Sequence, residues 1–195
     1  SYLMRTNGGS GVLLSGVPGV ERGRVTILGG GVVGTSAAKI AVGLGARVTV
    51  LERDPNRLQV VDDLMRGRIT TLIASADTIH QAVVQADLVV GAVLVSGART
   101  PHLVTSQTVA QMRKGSVIVD VSIDQGGCVE TAKRTTQAEP VFTAHGVIHY
   151  GVANLPGTVP RTSTQALTAV TLPYVMQLVE RGVEPALKAD PALGA

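Results

Sequence analysis

Short apolar runs alternate along this chain with stretches whose apolar positions recur at helical spacing. Residues 24–28 (Arg-Val-Thr-Ile-Leu) form a short apolar run that ends in three glycines. Residues 33–44 then carry small and apolar side chains at helical spacing, with Gly45 as a stop. The pattern repeats, with strands expected at 47–51, 68–73, 88–93, 116–121 and 147–152. Helices are expected at 56–65, at about 78–86 and at 105–113, the last closed by Lys114-Gly115. Strands that alternate with helices need crossover connections. These are right-handed and build a parallel sheet with helices on both faces. Six strands in two halves fit the order 3-2-1-4-5-6. The expected class is therefore α/β, a doubly wound parallel sheet of the Rossmann dinucleotide-binding type with six or more strands.

The ends read differently. Ser1-Tyr2-Leu3-Met4-Arg5 resembles the tail of a helix that begins upstream, which suggests a fragment. Residues 7–23 are glycine-rich, with a Val-Pro-Gly turn at 17–19. Near the other end, Thr162 with Gln165 three positions later has the form of a capping box. A helix should follow toward Val179, kinked or interrupted at Pro173. The expected organisation is a connecting segment at 1–23, a dinucleotide-binding domain at 24–160 and a C-terminal helix at 161–195.

Composition narrows the class. Apolar residues make up 45 % and charged residues 16 %, with 23 glycines, one Phe and no Trp. Such a core rests on Val, Ile, Leu and Ala, as a buried parallel sheet does. The net charge is +3, but no Lys/Arg run with interleaved aromatics forms a nucleic-acid surface. No apolar run reaches the ~18 residues of a membrane helix, and no signal-peptide pattern opens the chain. The expected setting is the cytoplasm. One cysteine, Cys128, leaves no internal disulfide, and the four histidines have no metal-ligand spacing, so no metal is expected.

The leading candidate for chemistry is Gly29-Gly30-Gly31-Val32-Val33-Gly34, which satisfies G-x-G-x-x-G between a strand and a helix. Gly29 permits the tight turn, Gly31 lets a pyrophosphate approach the backbone, and Gly34 lets helix and strand pack closely. The helix start, including Val32, offers free N–H groups to phosphate. The bland alternative is a glycine-rich turn without a ligand. Glu52 closes the second strand, 21 positions after Gly31. A carboxylate there accepts hydrogen bonds from the adenosine ribose and repels a 2′-phosphate, which favours NAD over NADP. Its alternative is a solvated strand-end charge, and the neighbouring Arg53 is able to pair with a phosphate. Asp124 follows the fifth strand at the edge where such sheets bind ligands. It suits proton transfer or the orientation of water, or equally a turn cap. His145 and His149 flank the sixth strand and are placed to approach this crevice, against the commoner reading of packed or surface histidines. Cys128 reads as a small buried hydrophobe.

Five runs carry a family resemblance. They are Gly11-Val12-Leu13-Leu14 with Gly16-Val17-Pro18-Gly19-Val20, the glycine run at 29–34, Asp87 through Leu94, Asp120 through Cys128 (Asp-Val-Ser-Ile-Asp-Gln-Gly-Gly-Cys), and Val152-Ala153-Asn154-Leu155-Pro156-Gly157. Over nearly its whole length the chain resembles the alanine dehydrogenase/pyridine nucleotide transhydrogenase family, and alanine dehydrogenases most closely. The resemblance implies oxidative deamination of L-alanine to pyruvate and ammonium, with NAD as cofactor. It implies that Asp124 is the catalytic aspartate beside the nicotinamide, and that Arg57 lies near the adenosine. Val93, Leu94, Ile123, Asn154 and Leu155 match loops on the nicotinamide side. Glu52 stands where the family usually has Asp. The family's substrate-binding Arg and Lys and its catalytic His belong to an amino-terminal substrate domain, and no histidine here matches. The chain is thus expected to bind NAD without turning over alanine alone, and to self-associate, as hexamers do in the family. A stand-alone NAD-binding module and a transhydrogenase nucleotide-binding domain are the alternatives.

Overall fold

The computed structural model describes residues 1–95 and 97–193; Gly194 and Ala195, the end of the expected C-terminal segment, lie outside the described residues. Two compact units divide the chain, Ser1–Ala153 and Asn154–Ala195.

In the first unit, β1 (Arg24–Leu28), β2 (Arg47–Glu52), β3 (Thr70–Ile73), β4 (Leu88–Gly91) and β5 (Val117–Asp120) alternate with α1 (Val32–Gly43), α2 (Pro55–Met65), α3 (Ala76–Val84) and α4 (Ser106–Ala110). A hairpin of β6 (Val141–Ala144) and β7 (Val147–Tyr150) completes one sheet in the order β3-β2-β1-β4-β5-β7-β6. All neighbours pair in parallel except β6 with β7. The expected sheet is present, with one strand more than the six read from the sequence. Val141–Ala144 was missed because Phe-Thr is flanked by only two small apolar residues and lies on the half-buried sheet edge.

The sheet is buried on both faces. On one, Val25, Ile27, Val48 and Val50 pack with Ala38 and Ala41 of α1 and with Leu58, Val61 and Met65 of α2. On the other, Leu28, Leu51, Val89 and Ile118 pack with Ile79 and Val83 of α3 and Val109 of α4. Each fully buried aliphatic side chain contributes roughly 1.5–3 kcal/mol. The α1 face is built from Gly34, Ala38 and Ala41, small residues that let the helix sit close to the strands.

Local chemistry sets the ends of the elements. Asp54 caps α2 by accepting from the Asn56 N–H, and Pro55 occupies the first turn. Ser75 and Thr78 form a capping box, so α3 starts at Ala76, ahead of the expected Thr78. Ser1–Arg5 is not the tail of a helix: the first element is a single 3-10 turn, Arg5–Asn7. Gly8, in the left-handed conformation, closes that turn.

The second unit contains α5 (Pro160–Arg181) and α6 (Val183–Ala189), two helices separated at Gly182 where a single helix was expected. α5 starts at Pro160, and Thr162 does not cap it. The fixed φ of proline suits the first helical turn, which moves the start ahead of the capping-box residues. Pro173 does not end α5. Upstream of it, the Thr168 and Thr171 hydroxyls donate to the carbonyls of Thr164 and Leu167.

Candidate functional site

Strand order reverses between β1 and β4, whose carboxyl ends lie side by side with Leu28 paired to Gly91. The loops leaving such adjacent ends diverge and open a crevice. Here the crevice is a cleft of about 1170 Å³.

The glycine loop forms its floor. Gly29 adopts φ +101°, and a Cβ there would lie 2.6 Å from the Ala92 carbonyl oxygen, so only glycine fits. A Cβ on Gly34 would collide with the Gly29 carbonyl. Gly31 is different: its added Cβ would meet only the Arg57 guanidinium, at 3.9 Å, so this backbone faces open cleft. Gly31 is also the N-cap of α1 and supplies no side-chain cap. The first-turn N–H groups of Val32, Val33 and Gly34 therefore keep the donor capacity that a helix start offers to an anion.

Glu52 ends β2 beside this loop. Its Oε2 accepts from the Gly30 N–H at 2.8 Å, and its Oε1 accepts from the Arg53 N–H at 2.6 Å and the Asp54 N–H at 3.2 Å. Gly29, Gly30, Gly31, Val32, Glu52, Arg57, Val93 and Leu94 all border this one cleft. Gly34 is buried in α1 and does not border the cleft. Lys39 of α1, Asn56 of α2 and His102 also border it and were missed, because single polar residues outside a motif carry no pattern.

A second cleft of about 670 Å³ lies past the carboxyl end of β5. It is bordered by Ile123 and Asp124 of the 3-10 turn Val121–Gln125, and by Arg99, Lys133 and Arg134. The Asp124 Oδ1 accepts from Arg134 Nη2 at 2.7 Å, with 46 % of the carboxylate side chain still exposed. The segment after β4 borders both clefts, with Val93 and Leu94 on the first and Gly97, Ala98 and Arg99 on the second. Asn154 and Leu155 stand at the start of the second unit, where Asn154 has φ +53° and Leu155 opens the 3-10 turn Leu155–Thr158.

The loop that carries Asp124 is held from below by Asp120, a residue that the sequence reading passed over. Asp120 is 1 % exposed at the end of β5. Its Oδ1 accepts from the Ser122 N–H at 3.0 Å. Its Oδ2 accepts from the Cys128 N–H at 2.8 Å and the Val129 N–H at 3.2 Å. Burial pushes the carboxyl above its ordinary range, against the opposing pull of these N–H groups. A carboxylate closing an otherwise apolar strand was the available signal. Cys128 is fully buried, as expected, and burial together with the Asp120 charge raises its thiol far above the ordinary range. That leaves it a thiol and not a nucleophile.

His145 and His149 border neither cleft, which agrees with the commoner reading of packed or surface histidines. His149 is buried inside β7 and stacks on Phe142, with ring centroids 4.9 Å apart. The Val147 carbonyl accepts from its Nδ1, and its Nε2 accepts from the Thr131 hydroxyl. Burial lowers its pKa, which keeps the ring neutral. The His145 Nε2 lies 2.9 Å from the Ser106 hydroxyl. Among the described residues, no cluster of three or more His, Cys, Asp or Glu could hold a metal ion. No described helix is long and apolar enough to cross a membrane.

A parallel sheet with a glycine cradle, an uncapped helix start and a strand-end carboxylate at its switch point defines a dinucleotide-binding domain of the Rossmann type. Residues 1–195 match the family "Alanine dehydrogenase/PNT, C-terminal domain", and the chain belongs to that family. It is 54 % identical over 188 residues to the alanine dehydrogenase of Halomonas elongata, covering 96 % of this chain and 51 % of that protein. It is also 54 % identical over 193 residues to alanine dehydrogenase 2 of Staphylococcus aureus, covering 98 % and 52 %. A solved L-alanine dehydrogenase superposes with a TM-score of 0.94 at 54 % identity, over 99 % of this chain and 53 % of that one. A transhydrogenase from Sinorhizobium meliloti shares the fold, with a TM-score of 0.77 at 23 % identity over 96 % and 54 %. The chain spans about half the length of the curated relatives it matches. Family and fold together imply a nicotinamide dinucleotide as cofactor.

Proposed function

We propose that this chain is the coenzyme-binding half of an NAD-dependent L-alanine dehydrogenase. In that reaction L-alanine loses a hydride from Cα to the nicotinamide, and water hydrolyses the resulting imine to pyruvate and ammonium. The observation that carries this reading is the cradle at the ends of β1 and β2. Gly31 faces open space at an uncapped helix start, and Glu52 is fixed against Gly30. The residues fit the cofactor. The 31–34 backbone takes the pyrophosphate, with Arg57 beside it. Glu52 takes the adenosine ribose hydroxyls, and its charge opposes a 2′-phosphate. Val93, Leu94 and Ile123 line the path toward the nicotinamide, and Asn154 and Leu155 are carried over as cofactor residues from the family resemblance alone.

Asp124 stands at that end as the proton-handling carboxylate. Its Oδ1 accepts from Arg134 Nη2. The remaining substrate groups and the acid–base partner belong to the half of the relatives' length that this chain does not span. The chain alone therefore binds NAD without turnover. A cytoplasmic homo-oligomer, a hexamer as in the family, belongs to the same reading. Titration calorimetry with NAD and with NADP tests it: binding should be saturable and clearly tighter for NAD. A stand-alone NAD-binding module would not need a carboxylate at Asp124.

A further inference from the structure

The two clefts are joined by a side chain that borders neither. Val93 borders the first cleft, and Ile123 and Asp124 border the second. The Val93 peptide packs on the glycine loop, where a Cβ on Gly29 would stand 3.3 Å from the Val93 N. Ser122, the second residue of the turn Val121–Gln125, is 7 % exposed. Its hydroxyl donates to the Val93 carbonyl at 2.7 Å, and its N–H donates to the Asp120 Oδ1 at 3.0 Å. The segment after β4 meets the same loop again further on. There the Thr100 N–H donates to the Gln125 carbonyl at 2.9 Å, and the Leu103 N–H to the Cys128 carbonyl at 2.8 Å. Those bonds are main chain and need no particular side chain. The Ser122 bond depends on one hydroxyl, and it reaches a residue that borders the coenzyme cleft. Loss of that hydroxyl leaves the Val93 carbonyl without this donor and frees the segment to move against the turn.

We propose that Ser122 is a positioning residue for the hydride transfer, setting the distance between the nicotinamide end of the coenzyme cleft and the Asp124 carboxylate. The assignment rests on the reaction proposed above, in which Cα gives its hydride to the nicotinamide and Asp124 handles a proton. Both groups must reach one substrate at once, and a misplacement of about 1 Å between them costs up to about 10²-fold in rate. β4 and β5 are neighbours, with Gly91 paired to Asp120, so the strands fix the two loops at their roots. Past the strand ends, the Ser122 hydroxyl carries that registration on to Val93 on one side and to the Asp124 turn on the other. Ser122 borders neither cleft, so it acts through the Val93 carbonyl and through the turn.

The test uses a full-length protein that carries this domain. Ser122→Ala removes one hydroxyl, and Ser122→Cys keeps a weak donor. Initial rates are read with L-alanine and with L-alanine deuterated at Cα, beside NADH titrations and urea midpoints. In Ser122→Ala, kcat should fall about tenfold while the KM for NAD and the NADH affinity stay within about twofold of wild type. The deuterium isotope effect on kcat should be at least as large as in wild type, because hydride transfer is the step that slows. Ser122→Cys should lie between wild type and Ser122→Ala. Unchanged kcat in Ser122→Ala would overturn the proposal. So would a lowered kcat with a smaller isotope effect, since another step would then be slow, or a lowered kcat that comes with loss of NADH affinity and of stability, the mark of a structural residue. A raised KM for NAD at unchanged kcat would make Ser122 a binding residue instead. A wild type that does not oxidise L-alanine with NAD would strike the reaction reading itself; an active wild type with an unaffected Ser122→Ala would strike only the role of Ser122.

Discussion

The Glu52 carboxylate accepts a hydrogen bond from the Gly30 N–H at 2.8 Å, across the gap between the end of β2 and the glycine loop. One side chain thereby fixes the loop geometry and presents a negative charge to the adenosine side of the cleft. Glu52→Gln keeps an acceptor but removes the charge. It should weaken NAD binding by roughly 1–2 kcal/mol and narrow the difference between NAD and NADP. Parallel titrations with both cofactors measure this. Unchanged affinity for both would show that Glu52 is not the ribose ligand.

Gly34→Ala places a Cβ against the Gly29 carbonyl. Either α1 moves off the sheet or the loop shifts, so the variant should lose about 2 kcal/mol or more in denaturant unfolding. It should also lose most of its NAD affinity. Wild-type stability and binding would contradict the close packing of α1 on β1.

Asp120 gathers the N–H groups of Ser122, Cys128 and Val129, which lie at the two ends of the loop that holds Asp124. Asp120→Asn turns one acceptor into a donor that faces other donors. The expected cost is about 2–4 kcal/mol, read from urea midpoints. Because burial raises the Asp120 pKa, its contribution to stability is fully present below the unfolded value of 3.8 and falls as pH rises through the folded pKa. The stability gap between wild type and Asp120→Asn should therefore widen toward acid pH.

The His149 pKa is lowered by burial, so the unfolded chain takes up a proton before the folded one does. Its contribution is intact above the ordinary value of 6.5 and is lost as pH falls below it. His149→Asn should be less stable at pH 8 but show a flatter loss of stability on acidification from pH ~6.5. An identical acid slope in both proteins would place the titrating group elsewhere.

Much of this was legible because a parallel sheet buried on both faces writes itself as continuous apolar runs. The strands at 24–28, 47–52 and 88–91 and the glycine loop all stand where pattern and motif put them. β6 was not legible, since an edge strand needs little apolar character. The start of α5 at Pro160 was hidden by a plausible capping box two residues later. For the site, glycines and strand-end carboxylates announce themselves by position. Arg134 does not: its pairing with Asp124 depends on which loops the sheet brings together, and sequence spacing holds no trace of that. His149 follows the commoner reading of a packed histidine, because its place inside β7 turns the ring toward Thr131 and Phe142.

In a full-length protein that carries this domain, Asp124→Asn should lower kcat by roughly 10²-fold or more while NADH affinity stays near wild type. Steady-state kinetics beside an NADH titration separate the two quantities. A variant that loses NADH binding as strongly as kcat would make Asp124 a structural residue and not a proton-handling one.

The most direct measurement is calorimetric titration of the 195-residue chain with NAD and, separately, with NADP. Saturable NAD binding at one site per chain, clearly tighter than NADP binding, is the predicted result. Equal affinity for the two cofactors, or tighter NADP binding, would contradict the assignment of Glu52. No binding of either would contradict the coenzyme site built from residues 29–34, Glu52 and Arg57.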